Sequence, residues 1–510
     1  MLAYIHSMAL LGLDAFSIKI EADITESLPS FTIVGLPDGA VRESRERVMS
    51  AIKNSGFEFP SRKITINMAP ADIRKEGSSY DLPISVGILI ASGQVDCKKD
   101  LSKTVIIGEL SLDGTIKRIQ GGLPLSLGAR EKGFSSVILP PENAREASVA
   151  EGVSIYALNN LIDCIDFLEG HTPVSPTECD ISRYFRNAVN RDRDFIDVKG
   201  QEHVKRAITV AAAGNHNLLM IGPPGSGKTM IARRIPSILP PLSLEESLET
   251  TKIHSVANKL DPSQPIVTTR PFRSPHHTIS YAGLTGGGSY PRPGEISLSH
   301  NGVLFLDELP EFNKNVLENL RQPLEDKKVT ISRSAFTLTY PSNFMLVAAM
   351  NPCPCGYYSD PNHNCSCTPI QIQRYISKIS GPLMDRIDIH IEVPALTYGE
   401  LTRKKGECSS QQLQREVEDA KKIQQKRFRD IPSLSNASME PGHMRTFCEL
   451  DPSCYILLKK AIEKLGLSAR AYDRIIKVAR TIADLDSKDN ITAKHISEAI
   501  QYRTLDRKTN

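Results

Sequence analysis

Short apolar runs rich in β-branched residues recur through the first third of the chain. FTIVGL, KITINMA, TVIIGEL and SVILP are separated by polar stretches with helical spacing, such as AVRESRERVMSAIKNSG. The opening MLAYIHSMALLGLDAF reads as a first strand. Residues 1–170 therefore predict an α/β domain. HTPVSPTECDISRYFRNAVNRDRDF then breaks the pattern with prolines and charges, which marks residues 171–194 as a linker. Over 195–394 apolar runs end in chemistry-bearing residues and alternate with helical stretches, the pattern of a parallel sheet with crossover helices. Beyond 395, QQLQREVEDAKKIQQKRFRD and CYILLKKAIEKLGLSARAYDRIIKVARTIADL carry helical spacing, so residues 395–510 predict a small α-helical domain.

Composition alters this picture little. The 510 residues carry 40% hydrophobic and 24% charged side chains and a net charge of +3, so any basic surface must be local. No stretch is long and apolar enough to span a bilayer, and the N-terminus lacks a basic leader, which predicts a cytoplasmic protein with no membrane partner. Six of the ten cysteines are scattered, as expected of reduced thiols.

Chemistry enters at the ends of the apolar runs. LLMIGPPGSGKTM sets Gly222, Pro223, Pro224, Gly225, Ser226, Gly227, Lys228 and Thr229 between a strand and a helix. Such a loop cradles phosphates with backbone N–H groups, places Lys228 on the β and γ oxygens and gives Thr229 to magnesium, so ATP and Mg2+ are expected. In GVLFLDELPEF a strand ends in Asp307, a magnesium ligand, and Glu308, a general base for the attacking water. Asn351 closes NFMLVAAM. Alone before Pro352 it would read as a turn residue, and beside these motifs it reads as a group that positions the water. Arg386 and Arg470 suit charge stabilisation in the transition state or, equally, surface ion pairs.

Taken in order, these motifs resemble the AAA+ ATPases of the magnesium chelatase-like branch. The stretches RPFRSPHHTISYAGLTGGGSYPRPGEISLSHNGVLFLDELPEF and SGPLMDRIDIHIEVP resemble the YifB/ComM family in particular. That resemblance implies a central P-loop AAA+ sheet, a helical lid, and a homo-hexamer that drives branch migration of DNA during natural transformation. It implies single-stranded and branched DNA and recombination proteins as partners. It also implies sensor 1 at Asn351, an arginine finger at Arg386 and a sensor 2 arginine at Arg470. A finger acting in trans requires a head-to-tail ring. Metal insertion into a porphyrin and protein remodelling are the alternatives.

YAGLTGGGSYPRPGEIS is expected as a mobile loop, and DKKVTISRSAFTLTYPSNF as a hairpin around Ser334. In similar ATPases such elements face a pore, which makes Lys327, Lys328 and Arg333 candidate DNA contacts; a solvated charged hairpin is the plainer reading. The adjacent His276 and His277 are expected in nucleotide-dependent packing.

RKEGSSYDLPISVGILIASG and IIGELSLDGTIKRIQGGLPLSLGAREKGFSSVILP resemble the Lon protease (S5-like) domain. Ser79 falls near its serine, but Pro124 stands where that family has its lysine base, so a non-proteolytic platform is implied. Lys63, Arg74, Lys75 and Lys117 are candidates for a basic face.

Cys353, Cys355, Cys365 and Cys367 crowd a loop poor in apolar residues. Four thiolates there suit structural zinc, with His363 as a substitute ligand; reduced thiols and redox disulfides remain open readings.

Overall fold

The computed structural model describes residues 1–503 except 73, 187–192, 262, 289, 334–336, 359, 361, 362, 397, 398, 400–407, 432, 433, 466 and 467. Ser334, the centre of the expected hairpin, lies outside them. The fold is α/β and divides into two compact units. Residues 1–187 with 244–268 form the first, and residues 188–243 with 269–510 the second. The stretch 244–268, inside the span read as ATPase core, thus belongs to the first unit.

The first unit is built on a seven-stranded mixed sheet. Its order is Ser30–Val34, Lys63–Ala69, Asp14–Thr25, Leu2–Leu11, Thr104–Ile106, Ser136–Leu139, Ser154–Ala157. Leu2–Leu11 and Asp14–Thr25 form an antiparallel hairpin closed by Gly12 and Leu13, a two-residue loop of the kind that matches strand twist. The later strands add in parallel. The helix Asp81–Ala91 is buried on almost every side, as its apolar sequence DLPISVGILIA requires. The helix Gly122–Glu131 packs Leu123 and Leu127 with Val149, Ala150 and Ile266, and Leu248 of the helix Leu244–Val256 joins that cluster. Glu146 fastens the same corner, accepting from Gly122 N at 3.0 Å and Ser255 Oγ at 3.0 Å.

Of the four basic residues expected on one face, Lys63, Arg74 and Lys117 are exposed. Lys75 is not. It is fully buried, its Nζ donates to Pro70 O, and burial pushes its pKa down. Expected on a basic face, it is instead held inward where its backbone bridges Leu36 and Asp38. Ser79 is half-buried, and Pro124 is buried inside the helix Gly122–Glu131.

The second unit carries a five-stranded parallel sheet, ordered Phe272–Arg273, Val303–Leu306, Met345–Met350, Leu218–Ile221, Ile389–Glu392. The central strands are buried throughout, which accounts for their unbroken apolar runs. Because all run the same way, the segments after Leu218–Ile221, Val303–Leu306 and Met345–Met350 leave one edge of the sheet side by side. The C-terminal helices Ser410–Arg427, Ala469–Leu485 and Ala493–Gln501 share one continuous hydrophobic core with this sheet.

The glycine-rich stretch expected as a mobile loop is built instead. It forms the short helix Tyr281–Thr285, a two-stranded ribbon of 286–287 against 292–293, and the turn of helix Glu295–Leu298. The hairpin Lys328–Ser332 with Thr337–Pro341 leans on it, Tyr340 Oη donating to Pro291 O at 2.7 Å. Among the described residues no helix is long and apolar enough to cross a membrane.

Candidate functional site

The phosphate-loop residues follow the strand Leu218–Ile221 and open the helix Lys228–Ala232. Gly222 is obligatory there, since a β-carbon would fall 2.1 Å from Val393 O. The Lys228 ammonium is held by Gly222 O at 2.7 Å and Pro223 O at 2.9 Å, with Asn351 Oδ1 at 3.2 Å. Asn351, expected at the end of the adjacent strand, thus stands against the lysine from a sequence distance of 123 residues. Thr229 Oγ1 donates to Asp307 Oδ2 at 2.6 Å. This pair of hard oxygens suits Mg2+. Glu308 follows with a left-handed backbone, φ 53°, and its side chain is exposed at the sheet edge.

Burial lowers the Lys228 pKa from 10.5 to about 8, with Asp307 pulling the other way. A bound phosphate would hold the proton on. The sign follows: below pH 8 the ammonium is already formed, whereas above it binding must take up a proton. Nucleotide affinity should fall as pH rises through about 8, by up to roughly tenfold per unit. Calorimetry in two buffers of different ionisation heat checks this. Equal heats and a flat affinity from about pH 7 to about pH 9.5 would refute it.

The two expected arginines are placed differently from each other. Arg386 is buried, with Nη2 2.5 Å from Glu325 Oε1 and Nη1 donating to Pro382 O at 2.6 Å. Arg470 is exposed in the first turn of the helix Ala469–Leu485. One turn later Arg474 pairs with the buried Asp388, which also accepts from Asn217 N at 2.9 Å and faces His216 Nδ1 at 3.5 Å. Burial pushes the Asp388 carboxyl up, but Arg474 and His216 outweigh it and hold the group well below the usual carboxylate range.

Lys327 belongs with this group and not with the exposed hairpin. It ends the helix Arg321–Asp326 with φ 56°. Burial lowers its pKa, Asp388 opposes that, and Arg474 and Lys477 add to it. An ammonium so placed is a poor phosphate contact. Lys328 and Arg333 are exposed, as is Arg292 on the neighbouring ribbon.

Sequence reasoning missed three participants. Gln201 Nε2 donates to Ser226 O and to Pro394 O, both at 3.0 Å, and so ties the phosphate loop to the chain leaving the Ile389–Glu392 strand. Asp388 and Arg474 went unread as a pair. His277 was seen but assigned only to packing; its Nδ1 lies 3.4 Å from Glu308 Oε2, and its ring lies 4.1 Å from that of His276. DRID and SARAYDR show a second carboxylate and a second arginine, but not that the two meet.

The four cysteines converge. Cys353 Sγ lies 3.3 Å from Cys355 Sγ and 3.7 Å from Cys365 Sγ, and all four sulfurs lie within 4.8 Å of one another. Zinc–sulfur bonds of about 2.3 Å in a tetrahedron give sulfur separations of roughly 3.8 Å, so the donor set fits zinc. Backbone N–H groups of Tyr357 and Ser366 hold the Cys355 thiol low, at about 5, whereas Cys365 and Cys367, although each also accepts from a backbone N–H, are pushed up by burial and by the adjoining sulfurs of Cys355 and Cys353. His363 turns to Asp360, at 3.3 Å, and stacks on Tyr357.

The family model described as magnesium chelatase, subunit ChlI, matches residues 194–401; that described as subunit ChlI of Mg-chelatase matches 20–143; and its C-terminal counterpart matches 407–503. The chain is 45% identical over 510 residues to "Uncharacterized protein YifB" of Escherichia coli, covering 99% of this chain and 98% of that one. It is 44% identical over 511 residues to "Competence protein ComM" of Haemophilus influenzae, with the same coverage. At its N-terminus it resembles "Lon protease 2" of Bacillus subtilis, 30% identical over 161 residues, which is 29% of this chain and 28% of that one.

Proposed function

Because the chain belongs to the YifB/ComM family of magnesium chelatase-like AAA+ proteins, we propose that it is an ATP-driven, ring-forming motor that moves branched DNA. The observation that carries the chemical half is the meeting of Lys228, Thr229, Asp307 and Asn351 at one sheet edge with Glu308 beside them. Full-length similarity to a competence protein supports the DNA half.

In this reading Lys228 and the loop amides bind the phosphates. Thr229 and Asp307 would hold magnesium, which would supply positive charge against the phosphates. Glu308 takes the proton of the attacking water, and Asn351 orients that water. Arg386, released from Glu325 on ring closure, serves the neighbouring subunit's nucleotide, while Arg470 closes over its own from the helical lid. The hexamer exposes Lys328 and Arg333 of the hairpin, with Arg292 of the ribbon, to a DNA strand. Their charge supplies sequence-independent affinity. Pro124 in place of a lysine leaves the Lon-like unit a platform.

The test is a labelled synthetic four-way junction incubated with the protein and either ATP or a non-hydrolysable analogue. Arm separation with ATP alone, and ATP turnover that rises with DNA, are expected. Turnover raised by an unfolded protein and not by DNA would move the assignment to protein remodelling. The chelatase description of the matching family model favours one further reading, porphyrin metallation, and porphyrin binding by the purified chain would support it.

A further inference from the structure

The stretch from Asn351 to Gly356 touches the phosphate loop at both of its ends. At one end Asn351 Oδ1 lies 3.2 Å from Lys228 Nζ. At the other, Gly356 lies so close to Pro224 that a β-carbon on it would fall 2.5 Å from Pro224 Cδ and 2.7 Å from Pro224 Cγ. Between these contacts sit Cys353, fully buried, and Cys355, whose backbone N donates to Cys367 Sγ at 3.4 Å. Gly356 N donates to Cys353 O at 3.0 Å, closing the turn that presses Gly356 onto the proline, and its φ of 89° is one that glycine adopts freely.

Little else shapes this turn. Besides its cysteines the segment 352–367 contains Pro, Gly, Ser, Asn, Asp and His with two tyrosines, and among its described residues only Cys353 joins the buried apolar set. Such a loop draws its rigidity from cross-linking, not from a core. Four sulfurs within 4.8 Å of one another offer the donor set for a metal cross-link, and two of them lie between the residues that touch the phosphate loop.

We propose that zinc bound by Cys353, Cys355, Cys365 and Cys367 braces the phosphate loop through Gly356 and Asn351, so that metal occupancy sets the affinity of the site for nucleotide. The inference rests on the nucleotide-site reading of Lys228 given above. Coupling between two sites is reciprocal. Zinc loss should therefore weaken nucleotide binding, and nucleotide should retard zinc loss.

The experiment uses the full chain. Zinc content is measured by elemental analysis, and the affinity of a fluorescent ADP analogue is measured with magnesium present before treatment with a zinc-selective chelator, after it, and after zinc is restored. One zinc per chain is expected, with affinity about tenfold weaker in the stripped protein and recovered on adding zinc. The Gly356→Ala protein should keep its zinc and still bind the analogue more weakly, since the added carbon displaces Pro224 and leaves the sulfurs in place. Chelation of the native chain gives the same answer if that variant does not fold.

Two results overturn the proposal: purified reduced protein without zinc, or zinc removal that leaves affinity unchanged. Failure of the zinc-loaded chain to bind the analogue at all would instead remove the nucleotide-site reading, and this inference with it.

Discussion

Replacing Glu308 with Gln should lower ATP turnover by about 10²- to 10⁴-fold, the usual contribution of a general base, while leaving nucleotide bound. The carboxylate lies just past the Val303–Leu306 strand, exposed and touched by His277 at 3.4 Å. Asp307, one residue before it, is committed to Thr229. The amide keeps the shape of the side chain but cannot accept the proton, so hydrolysis stalls after ATP has entered. Single-turnover hydrolysis and equilibrium binding of ATP separate the two effects. A loss of turnover under about fivefold would transfer the proton-accepting role to another group. Equal losses in binding and turnover would show that Glu308 is a structural residue.

The second large effect concerns stability. Asp388→Asn leaves Arg474 without its counter-charge in a site where the carboxylate is 2% exposed. Breaking a buried pair from one side costs about 3–5 kcal/mol. The pH dependence carries a definite sign. Asp388 is depressed in the folded protein, so its contribution is complete above the unfolded value near 4 and fades as acid protonates it. The gap between native and variant protein in chemical denaturation should be full near neutrality, begin to narrow near the unfolded value of about 4, and keep narrowing as pH falls toward the depressed folded value. A constant gap would mean that the lost interaction is the hydrogen bond to Asn217 and not the charge. With Asp388 intact, Arg474→Lys should cost a smaller part of the same stability, since an ammonium keeps the charge but lacks the fork that the guanidinium presents.

Residues close in sequence or fixed by a strand end were legible in advance. The phosphate loop, the Asp307–Glu308 pair and Asn351 each follow an apolar run of unmistakable strand character, and parallel strands bring such ends together. The convergence of the cysteines was legible because all four lie in one short loop. What could not be read was pairing over long stretches of chain. Nothing in IDIH says that Asp388 awaits Arg474, or in SPHH that His277 faces Glu308, because each contact is set by the packing of elements that polar sequence does not rank. Lys75 shows the same limit. Its neighbours Arg74 and Glu76 are charged, and only the folded turn distinguishes the buried cation from the exposed one.

The grouping of residues 244–268 with the first unit bears on the order of synthesis. The helix Leu244–Val256 supplies Leu248 and Ser255 to a corner whose other side chains, Leu123, Leu127, Glu146 and Val149, were made about a hundred residues earlier. The polypeptide passes from one unit to the other three times, at 187/188, 243/244 and 268/269. A chain growing on the ribosome therefore cannot complete its first unit until the phosphate loop of the second has been translated. Cutting the gene at the apparent linker would yield a first unit without its last helix and a second unit with an orphaned insertion.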